Sequence, residues 1–170
     1  MSNPQLQQVV VAYDYSATGQ VAVDRGIALA CRAPFHVLHF VVVLDPSLGV
    51  AALPPQDKVD YLYAARVQEH LSAQLHAFFA ERDAPAEVHF FVHARIGNPA
   101  DEILQLAREL GADMLIVGSH GHTGLKRLLL GSVSERVVRE AECPVMVARP
   151  KGYPHVELKN VIEVPHKPSH

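Results

Sequence analysis

Five short apolar runs, rich in β-branched and aromatic residues, alternate with amphipathic stretches along the chain. The runs are QVVVAYD (8–14), FHVLHFVVVLD (35–45), AEVHFFVHAR (86–95), DMLIVG (113–118) and CPVMVARP (143–150). Such runs suit strands buried on both faces of a sheet, and parallel strands need helical crossovers between them. The alternation therefore predicts a three-layer α/β/α domain around a five-stranded parallel sheet.

Helix boundaries are clearest between the third and fourth runs. Asn98 suits an N-cap, Pro99 suits the first helical position, and Gly111 suits the left-handed residue that ends many helices. These signals predict a helix between Asn98 and Gly111.

The other three helices have weaker boundary signals. An amphipathic pattern predicts the first over about 18–31. Asp57 is the predicted cap of the second, with Asp60 in its first turn. For the last helix, the spacing of Ser132 and Glu135 favours a capping box.

Length and composition limit the classes of function. The 170 residues fit one domain, placed at residues 1–150, followed by a tail over 151–170 that we expect to be extended or disordered. A formal charge of −3 with scattered basic residues argues against binding nucleic acid by bulk charge. No apolar run is long enough for a membrane span. With only 2 cysteines, the composition predicts a cytoplasmic protein.

A glycine-rich segment, VGSHGHTGLKRLLLGSVSE, follows the fourth run at residues 117–135. Gly118, Gly121 and Gly131 let the backbone approach a ligand closely, and Ser132 opens a helix whose free amides favour anions. Neither GxxxxGK[ST] nor a GxGxxG turn after the first strand occurs, which argues against a Walker-type NTPase and a dinucleotide-binding domain. The segment therefore predicts a phosphate-binding loop that differs from both of these motifs. The hydroxyls of Ser132 and Ser134 suit the same phosphates, and Ser132 equally suits a helix cap.

The pattern G-x2-G-x9-G-S, in this order of elements, resembles the universal stress protein family. VVVAYDYS, IGNPADEIL and GSVSERVVREAECPVMVAR resemble further blocks of that family, so the likeness covers about residues 6–149. The resemblance implies an adenine nucleotide alpha hydrolase-like sheet of order 3-2-1-4-5 and a homodimer paired through the last strand, Val145 to Ala148. It also implies ATP or another adenine nucleotide as ligand, with Mg or Mn. This sequence differs from the family pattern at Tyr15, where the family usually has glycine.

The resemblance also implies a set of site residues. Asp14 matches a carboxylate near the ribose and base, the backbone of Ala12 and Tyr13 lines that pocket, and Val41 matches an apolar contact to adenine. The first phosphate loop corresponds to Gly118, Ser119, His120 and Gly121. The second corresponds to Gly131, Ser132, Val133 and Ser134.

The 11 histidines do not predict a metal site. His89 and His93 share a strand face but stand roughly 13 Å apart at about 3.3 Å per residue, and His36 and His39 point to opposite faces. No carboxylate or cysteine completes a ligand set around the other histidines. Any divalent cation is expected to arrive with the phosphates.

Three functions remain open from the sequence. The first is a nucleotide-dependent stress-response regulator in which ATP orders the connector 122–130 and changes a surface offered to a protein partner. The second is an interaction protein of the same fold whose pocket is closed by Tyr15. The third is a slow ATPase that uses Lys126 and Arg127, although no nucleophile and base pair stands out.

Overall fold

The computed structural model describes residues 5–33, 35–47, 58–82, 88–120, 130–150 and 152. In these ranges five strands alternate with four helices. The strands are β1 (Gln7–Ala12), β2 (His36–Leu44), β3 (His89–Ile96), β4 (Met114–Gly118) and β5 (Val145–Ala148). The helices are α1 (Ala17–Arg32), α2 (Tyr61–Glu81), α3 (Pro99–Leu110) and α4 (Ser132–Glu140). None of these helices is long and apolar enough to cross a bilayer.

The strands form one sheet in the order β3-β2-β1-β4-β5, and every neighbouring pair is parallel. The predicted fold class and strand order are therefore confirmed. After β1 the chain builds outward through β2 and β3, then returns to the other side of β1 for β4 and β5. A ligand crevice in such a sheet lies at the carboxyl ends of the two strands where the order reverses, here β1 and β4.

Helices cover both faces of the sheet and divide the core in two. Alternate residues of β1 point to opposite faces, so Val9 and Val11 face one helical layer and Val10 faces the other. The first core cluster packs α1 and α2 on the sheet, with Ile27, Phe40, Leu71 and Leu75 among its buried members. The second core cluster packs α3 and α4 on the sheet, with Val41, Ile103, Leu106 and Val137 among its members.

Both ends of α3 form as the sequence predicts. The Asn98 side chain accepts hydrogen bonds from the amides of Ala100 and Asp101, with Pro99 as the first helical residue. Gly111 ends the helix with φ of 58°, the left-handed conformation that glycine adopts without a steric penalty.

The start of α2 differs from the sequence prediction. Asp60 is the N-cap, and its carboxylate accepts a hydrogen bond from the Tyr63 amide at 2.9 Å. The predicted cap, Asp57, lies outside the described residues. The prediction that Asp60 lies in the first turn was wrong. Its backbone is extended, so Asp60 lies just before the first helical residue.

A histidine pair joins neighbouring strands on the α3 side of the sheet. His39 on β2 is 5% exposed, and its Nδ1 lies 3.0 Å from Nε2 of His93 on β3. Its other nitrogen lies 2.7 Å from the Gln8 side-chain oxygen. Since that oxygen only accepts, His39 donates from Nε2 and its bare Nδ1 accepts from His93. The His39 imidazole is therefore neutral in this arrangement.

Spacing along single strands did not reveal this pair, because its members come from neighbouring strands. Within the described ranges, no group of three or more His, Cys, Asp or Glu residues is arranged to hold a metal ion.

Burial lowers the pKa of His39 to about 4, with a further contribution from His93. The pKa of His93 is also lowered, first by burial and then by Arg95.

Protonation of His39 should make the fold less stable in acid. Its folded pKa of about 4 lies below the ordinary 6.5, so the unfolded chain binds the proton more readily once the pH falls below 6.5. The contribution of His39 to the free energy of unfolding should fall by about 2 kcal/mol between pH 7.5 and pH 5. Urea unfolding across this pH range measures the loss.

The variant His39→Leu should be less stable at neutral pH and should show a weaker pH dependence than the wild type. The matched control is His89→Asn, since His89 is an exposed histidine on the adjacent strand. A His39→Leu variant with the full pH dependence of the wild type would contradict this assignment.

Candidate functional site

The sequence-predicted residues meet at the carboxyl ends of β1 and β4, beside the starts of α1 and α4. β1 leads into the turn that carries Asp14, and β4 ends at Gly118, followed by Ser119 and His120. Gly121 and the connector residues 122–129, which include Lys126 and Arg127, lie outside the described part of the chain. The site is therefore built from the Asp14 turn, the first residues after β4 and the first turn of α4.

The Asp14 carboxylate organises the turn after β1. Its Oδ1 accepts hydrogen bonds from the Ser16 amide at 3.0 Å and from the Ser16 hydroxyl at 2.5 Å. The Ser16 hydroxyl oxygen in turn accepts from the Gly19 amide at 3.0 Å, so Ser16 is the N-cap of α1. A Cβ on Gly19 would overlap Asp14 Oδ1, so only glycine there lets the carboxylate lie against the helix start.

Tyr15 lies between the carboxylate and the helix cap in an uncommon conformation. Its φ of 63° is in the left-handed region, which is unfavourable for a bulky side chain. The ring packs against the first core cluster and lies 4.6 Å from the Tyr13 ring, centroid to centroid. Its hydroxyl is buried with no hydrogen-bond partner in the described structure. Burial, followed by Tyr13 and Tyr63, raises its pKa to about 12.

The base-pocket residues implied by the family resemblance lie beside this turn. Val41 is 1% exposed, and its side chain packs in the second core cluster. Its carbonyl accepts a hydrogen bond from the Tyr13 amide at 2.9 Å, which joins the ends of β1 and β2. Ala12 is partly buried on the same face of the sheet as Val41. The three residues are therefore adjacent.

Gly118 allows the first turn of α1 to approach the end of β4. A Cβ on Gly118 would lie 2.8 Å from the Thr18 carbonyl carbon and 2.9 Å from the Gly19 amide nitrogen. Both neighbours are backbone atoms and cannot move aside without shifting the helix. In this structure the missing side chain of Gly118 thus makes room for α1.

Buried hydrogen bonds join the end of β4 to the start of α4. The Ser119 carbonyl accepts from the Gly131 amide at 2.8 Å, and the Ser134 hydroxyl lies 3.1 Å from it. That hydroxyl also lies 2.9 Å from the Gly131 carbonyl. The Ser119 amide donates to the Ala148 carbonyl at 2.8 Å, at the end of β5. The Ser134 hydroxyl proton is therefore engaged by backbone carbonyls.

The capping box predicted for α4 is wrong. Gly131 is the N-cap, and among the described residues no side chain makes a capping hydrogen bond to this helix. Because the Gly131 carbonyl accepts the first hydrogen bond of the helix, from the Glu135 amide, the helix begins one residue earlier than a Ser132 cap requires. Ser132 becomes the first helical residue, with its side chain exposed.

The first turn of α4 offers backbone donors. The Glu135 amide, bonded to the Gly131 carbonyl at 2.8 Å, makes the first intrahelical hydrogen bond. The amides of Ser132, Val133 and Ser134 precede it and have no acceptor within the helix. They lie at the positive end of the helix dipole, which favours an anion.

His120 is held by α1. The His120 carbonyl accepts a hydrogen bond from the Thr18 hydroxyl, and the His120 amide donates to the Thr18 hydroxyl oxygen at 3.3 Å. Its ring nitrogen Nδ1 lies 3.0 Å from the Ser119 hydroxyl. Ser16 and Thr18 were not predicted as site residues, although the hydroxyl-rich sequence DYSAT directly after the first strand was a signal that could have revealed them.

Together these contacts form one hydrogen-bonded network. It runs from Asp14 through the first turn of α1 to His120, and from Ser119 to the start of α4. The network holds the Asp14 carboxylate at the end of β1. Near the end of β4 it holds the first amides of α4, which have no acceptor in the described part of the chain. Such an arrangement can bind a ligand that carries both an anionic group and hydroxyl or amine donors.

Comparisons with known proteins agree with this architecture. A sequence model of the Universal stress protein family matches residues 5–149. Universal stress protein YxiE of Bacillus subtilis is 34% identical over 149 residues, covering 84% of this chain and 98% of its own length. Universal stress protein MJ0531 of Methanocaldococcus jannaschii is 31% identical over 146 residues, covering 84% of this chain and 82% of its own.

A solved structure of a universal stress protein in complex with cAMP has the same fold. It superposes with a TM-score of 0.59 at 25% sequence identity, covering 85% of this chain and 98% of its own. Because the family match extends from the first strand to the last, the chain belongs to the universal stress protein family.

Proposed function

We propose that this protein binds an adenine nucleotide, ATP with Mg or Mn, and acts as a homodimeric, nucleotide-dependent regulator in the stress response. The observation that carries the proposal is the network that places the free amides of α4 near the Asp14 turn. The similar structure that binds cAMP supports an adenine nucleotide as the ligand class. A cytoplasmic location, with residues 1–150 as the nucleotide-binding domain, belongs to the same proposal.

The residues present fit the phosphates of such a ligand. The amides of Ser132, Val133 and Ser134 would donate to phosphate oxygens, together with Gly121 in the part of the loop that the structure does not describe. In the described structure the amides of Ser119, His120 and Gly131 already donate to protein acceptors. We therefore assign Ser119, His120, Gly118 and Gly131 to shaping the phosphate site.

The other end of the nucleotide would lie toward β1 and β2. Asp14 would accept hydrogen bonds from the ribose or base. The backbone of Ala12 and Tyr13 would line the adenine pocket, and Val41 would supply its apolar contact. The divalent cation would be held mainly by the phosphates, because hard cations prefer their oxygen atoms. These roles describe binding and require no catalytic group.

The α4 amides can be tested by removing one N–H without disturbing the helix. Proline is favoured at the first helical position, and Gly131 already has the extended φ of −72° and ψ of 158° that a residue before proline prefers. Ser132→Pro should therefore fold normally. Loss of one hydrogen bond to a charged phosphate should weaken ATP binding by about 10- to 100-fold, measured by calorimetry with magnesium.

The matched control is Ser132→Ala, which removes the hydroxyl and keeps the amide. We expect it to bind ATP more tightly than Ser132→Pro by about tenfold or more. Equal affinities of the two variants would show that the Ser132 amide does not donate to the phosphates. If the wild type itself did not bind ATP, AMP or cAMP, the proposed function would be wrong and an interaction role would be favoured.

The proposed homodimer uses β5, which lies at one edge of the sheet and pairs only with β4 in the described structure. An unpaired edge strand presents backbone groups that can pair with another chain. Met146 on β5 is 38% exposed, which is consistent with an apolar contact across a two-fold axis.

We expect the wild type to have twice the monomer mass in analytical ultracentrifugation and Met146→Lys to shift toward the monomer. At a two-fold interface the substituted lysines of the two protomers would lie close together, and their like charges would repel. The matched control is Phe91→Lys, because Phe91 is an exposed apolar residue on β3 at the opposite edge. A monomeric wild type, or a Phe91→Lys variant that dissociates while Met146→Lys does not, would refute the assignment to β5.

A further inference from the structure

Thr18 contacts both backbone groups of a residue 102 positions away. Its hydroxyl donates to the His120 carbonyl, and its oxygen accepts from the His120 amide at 3.3 Å. One side chain thus holds two adjacent peptide groups at the first bend after β4. Because a peptide plane turns as a unit, fixing both groups fixes the direction in which the loop leaves the sheet.

Ser16 cannot replace Thr18 in this role. The Ser16 hydroxyl is 3.4 Å from the His120 carbonyl, but 2.5 Å from Asp14 Oδ1. A hydroxyl has one proton to donate, and the shorter bond to a carboxylate is the stronger. Thr18 is therefore the main donor to the His120 carbonyl.

The first turn of α1 keeps the Thr18 hydroxyl in place. Thr18 is the second residue of α1, directly after the capped start, and its backbone lies in the space that a side chain at position 118 would fill. The bend that it holds begins one residue after Ser119, whose carbonyl bonds the Gly131 amide. A change in the His120 peptide would therefore be passed on to the start of α4.

We propose that Thr18 is a positioning residue of the nucleotide site, an inference that rests on the proposed function. Its hydroxyl fixes the His120 peptide groups, and through Ser119 and Gly131 it sets the position of the α4 amides that would meet the phosphates. The hydrogen bond from the His120 N–H to the Thr18 oxygen, taken alone, suggests the opposite role. A hydroxyl that already accepts from this N–H would compete with a phosphate for it and would weaken nucleotide binding. The two roles predict opposite effects on affinity when the hydroxyl is removed.

The test compares Thr18→Val, which has nearly the same shape without the hydroxyl, with Thr18→Ser, which keeps it. We expect Thr18→Val to bind ATP with magnesium about tenfold more weakly than the wild type in calorimetry, and Thr18→Ser to remain within about threefold. Wild-type or tighter binding by Thr18→Val would overturn the proposal. So would a Thr18→Ser variant as weak as Thr18→Val, because the effect would then not depend on the hydroxyl.

A second readout needs no nucleotide. In the ligand-free protein, hydrogen exchange of the His120 and Gly131 amides should be faster in Thr18→Val than in Thr18→Ser. Unchanged exchange would contradict the positioning role even if ATP binds. Failure of the wild type to bind ATP would instead refute the proposed function, while the exchange data would still decide whether Thr18 holds the loop.

Discussion

The close contact between the first turn of α1 and the end of β4 is the constraint on which the site depends. A parallel sheet whose strand order reverses leaves a gap at the carboxyl ends of the two central strands. Here α1 enters that gap, because Gly118 and Gly19 have no side chains that would keep the helix away from β4 and from the Asp14 carboxylate. The contact holds His120 just after β4, and the carbonyl of the preceding Ser119 is bonded to the Gly131 amide at the start of α4.

The parallel sheet and one helix with both of its ends could be predicted from local signals in the sequence, whereas the strand order was implied only by the family resemblance. Apolar runs separated by helical patterns determine a parallel sheet, and Asn98 with Gly111 marks a helix by backbone chemistry alone. The cap of α4 was mispredicted, since the Ser119 carbonyl, on a separate element, holds the amide of Gly131, and the Gly131 carbonyl then accepts the first hydrogen bond of the helix. Thr18 and the His39–His93 pair were missed for the same reason: their contacts form only when separate strands and helices come together.

The glycine pattern indicates where side chains are missing, but not what fills the space. At Gly118 the space is filled by the backbone of α1. At α4 the proposed phosphate donors are helix amides, which need no glycine of their own. The proposed ligand site and the proposed dimer edge are close in this structure, because the Ser119 amide is bonded to the last residue of β5.

The proposed function requires that the first amides of α4 meet the phosphates of an adenine nucleotide. A titration of isotopically labelled protein with ATP and magnesium, followed by amide NMR spectra, observes these amides one by one. We predict that the amide resonances of Ser132, Val133 and Ser134 shift as ATP is added, while that of Phe91 on the distant edge strand stays in place. Saturating ATP without a shift at any of the three α4 amides would contradict it.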